Sequence, residues 1–295
     1  MADADPPLRY DTVSFLSDYG YADEFVGVVH SVIRQLEPRA AVIDVTHGIA
    51  PYDVRAAGLT LARSVQYLAP GVIIAVVDPG VGSSRRAVAV EVADGAAVLL
   101  GPDNGVLAPA VGMVGGASRA VWLNDPEYQL PAHGPTFDGR DVFAPAAAHL
   151  CRGVPLEELG ELVDPAGLLP GIMPLTREEE GALVAEVLWV DRYGNAQLNV
   201  DPDELDAMGD HFELLLDGRR RSARRATSFE DITPGGVGLI IDSYGLVALA
   251  ARQASAADDL GVAAGDPVTL RPVDGPEPGP GIPVQLGRRA GGGAP

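Results

Sequence analysis

Lysine is absent from this 295-residue chain, and all 21 of its basic residues are arginine. That absence excludes internal Schiff-base chemistry, pyridoxal-phosphate enzymes and a phosphate-binding loop of the standard kind, each of which needs a lysine amine. Cysteine is nearly absent too. The single Cys151 has no partner in the chain, and its place in a helical pattern predicts a buried thiol in a reducing compartment. No run of about 18 apolar residues offers a membrane span, and the opening MADADPPLRY lacks the apolar core of a signal peptide. The expected location is cytoplasmic. Positive charge is scarce as well: 21 basic against 41 acidic residues leave a formal charge of -20. That balance repels nucleic acid everywhere except at a local arginine cluster such as Arg219 to Arg225, which reads as a solvated turn. The five histidines and one cysteine show no metal-ligand spacing, so no metal is expected.

What the chain does have is length for two domains and a core of ordinary size. Residues 12–18 read as a strand. Phe25, Val28, Val29, Val32, Ile33 and Leu36 then recur at helical spacing and stop at Pro38. Ala41 to Val45 reads as a second strand, and 53–68 as an amphipathic helix stopped by Pro70. The β, α, β, α, β order predicts a parallel sheet with helices packed on it. Around Pro165 to Glu180 the pattern breaks, and short strands separated by turns follow, which suits a small β-barrel or sandwich. After Pro272 the chain is rich in proline and glycine, and disorder is expected over 273–295.

The organising stretch is GVIIAVVDPGVGSSRRAVAVEV, Gly71 to Val92. Two apolar β-branched runs meet at a polar turn whose Pro79, Gly80 and Gly82 bring backbone close to anything bound there. Asp78 ends the first run, and Arg85 and Arg86 follow seven and eight residues later. Ser17 and Asp18 end the first strand, and Asp44, Thr46 and His47 the second. Parallel strands put such ends on one edge, where α/β sheets bind ligands. For each residue alone, a turn or a helix cap remains the simpler account: capping for Asp138 and Asp141, a hydrogen-bonded turn for His47.

LSDYGYADEFVG, DVTHGIAPYDVRAAG, DPGVGSSRRA, GPDNG, TFDGRDVFAPAAAHL, DRYGN and DSYG, in this order, make the chain resemble the S-adenosylmethionine hydroxide adenosyltransferases, relatives of the fluorinase and chlorinase. The resemblance implies an amino-terminal α/β domain with a central, mostly parallel sheet (1–170) and a smaller carboxy-terminal β-barrel-like domain (171–272). It implies hydrolysis: water attacks C5′ of S-adenosylmethionine, methionine leaves, adenosine forms, and no cofactor is needed. By resemblance Asp78 and Arg85 place the water. Asp138 stands where the family's hydrolases commonly carry histidine, and two adjacent carboxylates disfavour each other's ionisation. Asp18 resembles the carboxylate that binds the ribose hydroxyls. Asp23 and Asp191 resemble contacts to the methionine ammonium, and Tyr52 and Phe137 apolar walls beside the sugar and sulfonium. Asn195, Ser243 and Tyr244 resemble contacts to adenine and the methionine carboxylate. The family assembles as a homotrimer with its pockets between subunits.

Two other readings stand beside hydrolysis. One is an adenosyl-ligand binder that has lost turnover through Asp138. The other is a halogenase, whose family members carry Tyr in place of Asp78 and Thr three residues on, where this chain has Val81.

Overall fold

The computed structural model describes residues 6–273. The disorder expected over 273–295 therefore falls, from 274 on, outside the described residues. The chain divides into two compact units between Pro174 and Leu175.

The first unit is built on seven strands: β1 (Thr12–Ser17), β2 (Ala41–Thr46), β3 (Gly71–Val76), β4 (Ala87–Val92), β5 (Ala97–Pro102), β6 (Ala117–Trp122) and β7 (Glu161–Val163). Their order in the sheet is β2-β1-β3-β5-β4-β6-β7. The first four are mutually parallel, and β4, β6 and β7 pair antiparallel. Alternation sends Val72, Ile74 and Val76 into one apolar cluster with Val13 and Phe15, and Ile73, Ala75 and Val77 into another with Leu16. Both faces are therefore covered, which is why β3 reads as an unbroken apolar run. Helices α1 (Phe25–Leu36) and α4 (Ala144–Cys151) fill the first cluster, and α2 (Val54–Val65) and α3 (Ala108–Met113) the second. In α1 the buried positions are Val26, Val29 and Ile33, one stripe at helical spacing. Asp53 caps α2 by accepting from Ala56 N at 2.8 Å. Cys151 is fully buried in α4, and burial pushes its thiol up to about 12.

β3 and β4, the two apolar runs of the organising stretch, are not neighbours: β5 lies between them. The polar turn must therefore cross two strand spacings, about 10 Å, past the carboxyl end of β5. Asp103 N donates to Arg86 O at 2.8 Å and Asn104 Nδ2 to Val77 O at 2.8 Å, so the GPDNG turn after β5 braces this crossing from below.

The second unit holds β8 (Arg177–Glu179), β9 (Ala182–Val190), β10 (Ala196–Leu198), β11 (His211–Leu216), β12 (Arg219–Arg225), β13 (Val237–Ile241), β14 (Val247–Ala250) and β15 (Pro267–Pro272), with short helices α5 (Pro202–Asp206) and α6 (Ala256–Leu260). The order β10-β14-β13-β12-β11-β15-β9 closes on itself through β9–β10, making a seven-stranded barrel with β8 added outside β9. The sequence left barrel and sandwich open; closure decides for the barrel.

Arg219 to Arg225 is a strand, not a solvated turn. β12 pairs antiparallel with β11 and parallel with β13, so the barrel cannot close without it. Only Ala223 is buried along it, so the sequence lacks the apolar alternation that marks a strand. Its arginines make outer ion pairs, Arg220 with Glu213 and Arg225 with Asp206. The turn itself is Asp217-Gly218, with φ of 42° and 75°, the hairpin dipeptide that suits two left-handed residues.

Candidate active site

Asp78 continues β3 onto the carboxyl edge of the first unit's sheet. Its Oδ1 accepts from Gly80 N at 3.1 Å and from Arg85 Nε at 3.0 Å, while Arg85 Nη2 donates to Oδ2. The same Nη2 also donates to Asp138 Oδ2. One guanidinium thus serves two carboxylates, and the side chains of Asp78, Arg85 and Asp138 are 6%, 11% and 19% exposed. By formal charge the group is one unit negative, and it lies at a mostly buried edge, where charges act more strongly than in water.

Backbone shape puts them there. Gly82 has φ of +78°, and a Cβ on it would lie 2.6 Å from Pro135 O, so only glycine lets the Asp78 crossing and the loop before Asp138 touch. Gly139 opens a π-helical turn, Gly139–Phe143, that leads into α4. A Cβ there would lie 2.3 Å from the Tyr19 hydroxyl. Capping does not explain either acid of this loop. The Asp138 side chain makes no cap hydrogen bond, and Asp141 is held by Arg140 Nε at 2.6 Å. Arg86, next to Arg85, goes elsewhere: its Nε donates to Asp103 Oδ2 at 3.0 Å, and Asp103 Oδ1 accepts from Leu169 N at 2.8 Å.

Asp18, at the end of neighbouring β1, accepts from Tyr52 N at 2.9 Å. Tyr52 takes φ of +70° to make that bond and leaves its ring 73% exposed. Phe137, beside Asp138, packs edge-on against Tyr19 and Phe25 at centroid distances of 5.7 and 5.1 Å. Tyr19 was not singled out as a site residue by sequence, although it sits inside the LSDYGY motif. Burial, with Asp18, Asp78 and Asp138 around it, raises its hydroxyl well above the ordinary tyrosine value. It stays a neutral phenol among carboxylates. Asp23 stands apart from this group, exposed in the loop before α1, on a depression it shares with Tyr21, His30 and Asp44.

In the second unit the two DxYG turns are built alike. Asp191 Oδ1 accepts from Tyr193 N at 2.8 Å and Asn195 N at 2.9 Å, and Oδ2 from Asn195 Nδ2 at 2.7 Å. Asp242 Oδ1 accepts from Tyr244 N at 2.8 Å and Leu246 N at 3.2 Å, and Oδ2 from Gln197 Nε2 at 2.5 Å. Gly194 and Gly245 both take φ of 83°. Each acid thus folds its own turn. Ser243 and Tyr244 are exposed at the second tip, with the Tyr244 ring 6.5 Å from Trp189, which sequence did not single out.

The SAM hydroxide adenosyltransferase N-terminal domain matches residues 13–160 and the C-terminal domain of the same family matches residues 185–269. An (R)-S-adenosyl-L-methionine hydrolase of Salinispora arenicola is 44% identical over 254 residues, which is 86% of this chain and 95% of that one. A fluorinase of an Actinoplanes species is 25% identical over 88% of this chain and 96% of its own. Among solved structures, an uncharacterised conserved protein of Thermotoga maritima superposes with a TM-score of 0.81 at 31% identity, covering 88% of this chain and 99% of that chain.

Proposed function

The chain belongs to the SAM hydroxide adenosyltransferase family, and from that premise we propose that it hydrolyses S-adenosyl-L-methionine at C5′ to adenosine and L-methionine. The observation that carries the reading is the pair of acids sharing Arg85 at the edge of the first unit's sheet. In the reaction the oxygen of water forms a bond to C5′, the C5′–S bond breaks, and its electron pair leaves on the thioether of methionine. One proton is released. The leaving group is neutral and needs no acid, so the enzyme has to place the water in line and receive its proton. Asp78, fixed by Gly80 N and Arg85, accepts a hydrogen bond from the water and takes the proton as it attacks. Asp138 holds the far side of Arg85 in the position of the family histidine. Asp18, which keeps Tyr52 in its unusual conformation, holds the ribose hydroxyls. Phe137 and Tyr52 wall the sulfonium. Asp23, Asp191, Asn195, Ser243 and Tyr244 contact methionine and adenine.

Charge separates this reading from halogenation. The substrate sulfonium is a cation, and a site with one net negative charge favours it. A halide must shed water and approach the same two carboxylates, and like charges about 4 Å apart cost on the order of 4 kcal/mol near a protein surface. The hydrolase relative, at 44% identity against 25% for the fluorinase, supports the same side.

The working assembly is a homotrimer in the cytoplasm. What supports it is the family resemblance, the open edge strand β2 with Ile43 47% exposed, the free, buried Cys151, and the lack, among the described residues, of a helix long and apolar enough to cross a membrane. Light scattering should give about 92 kDa, three chains of 30.6 kDa. The function is tested by incubating purified protein with S-adenosyl-L-methionine, with and without chloride, and separating the products. Adenosine and methionine in equal amounts, unchanged by chloride, are expected. Substrate binding without adenosine, or 5′-chloro-5′-deoxyadenosine among the products, would overturn the reading.

A further inference from the structure

Three side chains converge around the carboxyl end of β2, which lies next to β1. His30 comes from α1, Asp44 from β2 itself and His47 from the residues just after it. His30 Nε2 lies 2.7 Å from Asp44 Oδ1, and His47 Nε2 lies 3.0 Å from the same oxygen. All three ligand-type atoms fall within 4.8 Å of one another. The sequence separations, 14 and 3 residues from Asp44, match no metal motif, which is why the grouping is invisible before folding.

His47 points to what the cluster holds. Its ring is 1% exposed and packs against Phe15 and Tyr21 at centroid distances of 4.5 and 5.3 Å. Its Nδ1 is engaged by Ser17 Oγ at 2.7 Å. Its Nε2 is buried and makes no hydrogen bond, although the Asp44 carboxylate is at hydrogen-bond distance. A buried nitrogen that faces an anion without the alignment of a hydrogen bond is a polar atom short of a partner, and an ion shared with Asp44 would supply one. In a tetrahedral site with bonds of about 2.0 to 2.1 Å, neighbouring donor atoms sit about 3.3 Å apart, so the 2.7 and 3.0 Å spacings here would open by a few tenths of an ångström to admit an ion.

We propose that Nε2 of His30, Nε2 of His47 and Oδ1 of Asp44 bind one divalent transition-metal ion of the zinc class, with solvent completing its coordination. Two imidazoles and a carboxylate are a donor set that suits zinc, cobalt or nickel better than magnesium or calcium, which prefer all-oxygen sites. Outer support is present: Ser17 Oγ fixes the His47 ring through Nδ1, and Tyr21 Oη lies 3.4 Å from Asp44 Oδ2. An entry path is present too. The His30 and Asp44 side chains are 33% and 28% exposed and open onto a depression of about 500 Å³ also lined by Tyr21, Asp23 and Ser31. The ion would tie α1 to β2 and to the loop that delivers Tyr52 to Asp18. Its role is structural, and the hydrolytic step does not pass through it.

The test is to strip the full-length protein with chelator and titrate it with Co²⁺, reading the visible ligand-field bands, and with Zn²⁺ by calorimetry. One ion per chain is expected, with the strong cobalt absorption of a four- or five-coordinate site. His30→Ala, at a partly exposed position, and Asp44→Asn should each weaken binding by at least about 100-fold while circular dichroism stays unchanged. If a variant loses its fold, the cobalt spectrum of the unaltered protein decides alone. The weak spectrum of hydrated six-coordinate cobalt, or folded variants that bind as tightly as the unaltered protein, would overturn the proposal.

Discussion

Asp78 and Asp138 in the first unit, and Asp191 and Asp242 in the second, are all acids in turns next to strands or helices, yet their charges are spent differently. The first pair faces one guanidinium across the chain, with two carboxylates for one cation. Each acid of the second pair takes two backbone N–H groups of the turn that carries it and one side-chain amide, from Asn195 of the same turn for Asp191 and from Gln197 of β10 for Asp242. The first arrangement leaves unbalanced charge pointed at whatever binds. The second sets the shape of a loop. An acid at a strand end therefore shares a guanidinium in one unit and shapes a loop in the other, and it is the partner, not the residue type, that distinguishes them.

The largest effect should come from removing charge where it is unbalanced. Asp78→Asn keeps the shape but cannot take a proton, and kcat should fall by about 10² to 10⁴ with KM little changed, measured by adenosine release. If it falls less than about tenfold, Asp78 does not handle the proton. Arg85→Ala should come next. It leaves two mostly buried carboxylates without a counter-charge, and chemical denaturation should show a loss of about 3 kcal/mol in addition to lost turnover. Undiminished stability would mean that water already neutralises the pair.

The turns should respond in the opposite sense. Asp191→Ala or Asp242→Ala removes acceptors from backbone N–H groups, each worth about 1 kcal/mol, so thermal melting should fall by several degrees. The defect in activity should lie in KM, with kcat nearly kept. A loss confined to kcat would place these acids with Asp78. Tyr19→Phe should have the smallest effect. Because the folded-state pKa of Tyr19 is raised, the phenol stays neutral and its contribution is lost only as pH climbs above the ordinary tyrosine value, about 10. The pH–rate profile between about pH 6 and 9 should not shift, and a displaced limb in the variant would show that Tyr19 titrates in the working range.

How much of this was legible in the sequence follows the same division. Strands β1, β3 and β4 and helix α1 announce themselves because burial on both faces of a sheet, or on one stripe of a helix, leaves a run or a period. β12 does not. Its place is fixed by pairing with β11 and β13, and five of its seven residues are arginines whose stems cover the outside of the barrel. The pairing of Asp78 with Arg85 was implied by the family resemblance, and both lie in one turn. The insertion of β5 beneath that turn, the sharing of Arg85 with Asp138, and the arrival of Tyr19 over Gly139 are long-range contacts that no local pattern encodes. The His30, Asp44 and His47 cluster is illegible for the same reason.

The central claim, that water placed by the Asp78 edge attacks C5′, is tested most directly by the fate of the oxygen. Turnover in ¹⁸O-labelled water, read by mass spectrometry, should put one heavy oxygen on the 5′-hydroxyl of adenosine and none in methionine. Unlabelled adenosine, or methylthioadenosine in place of adenosine, would contradict it.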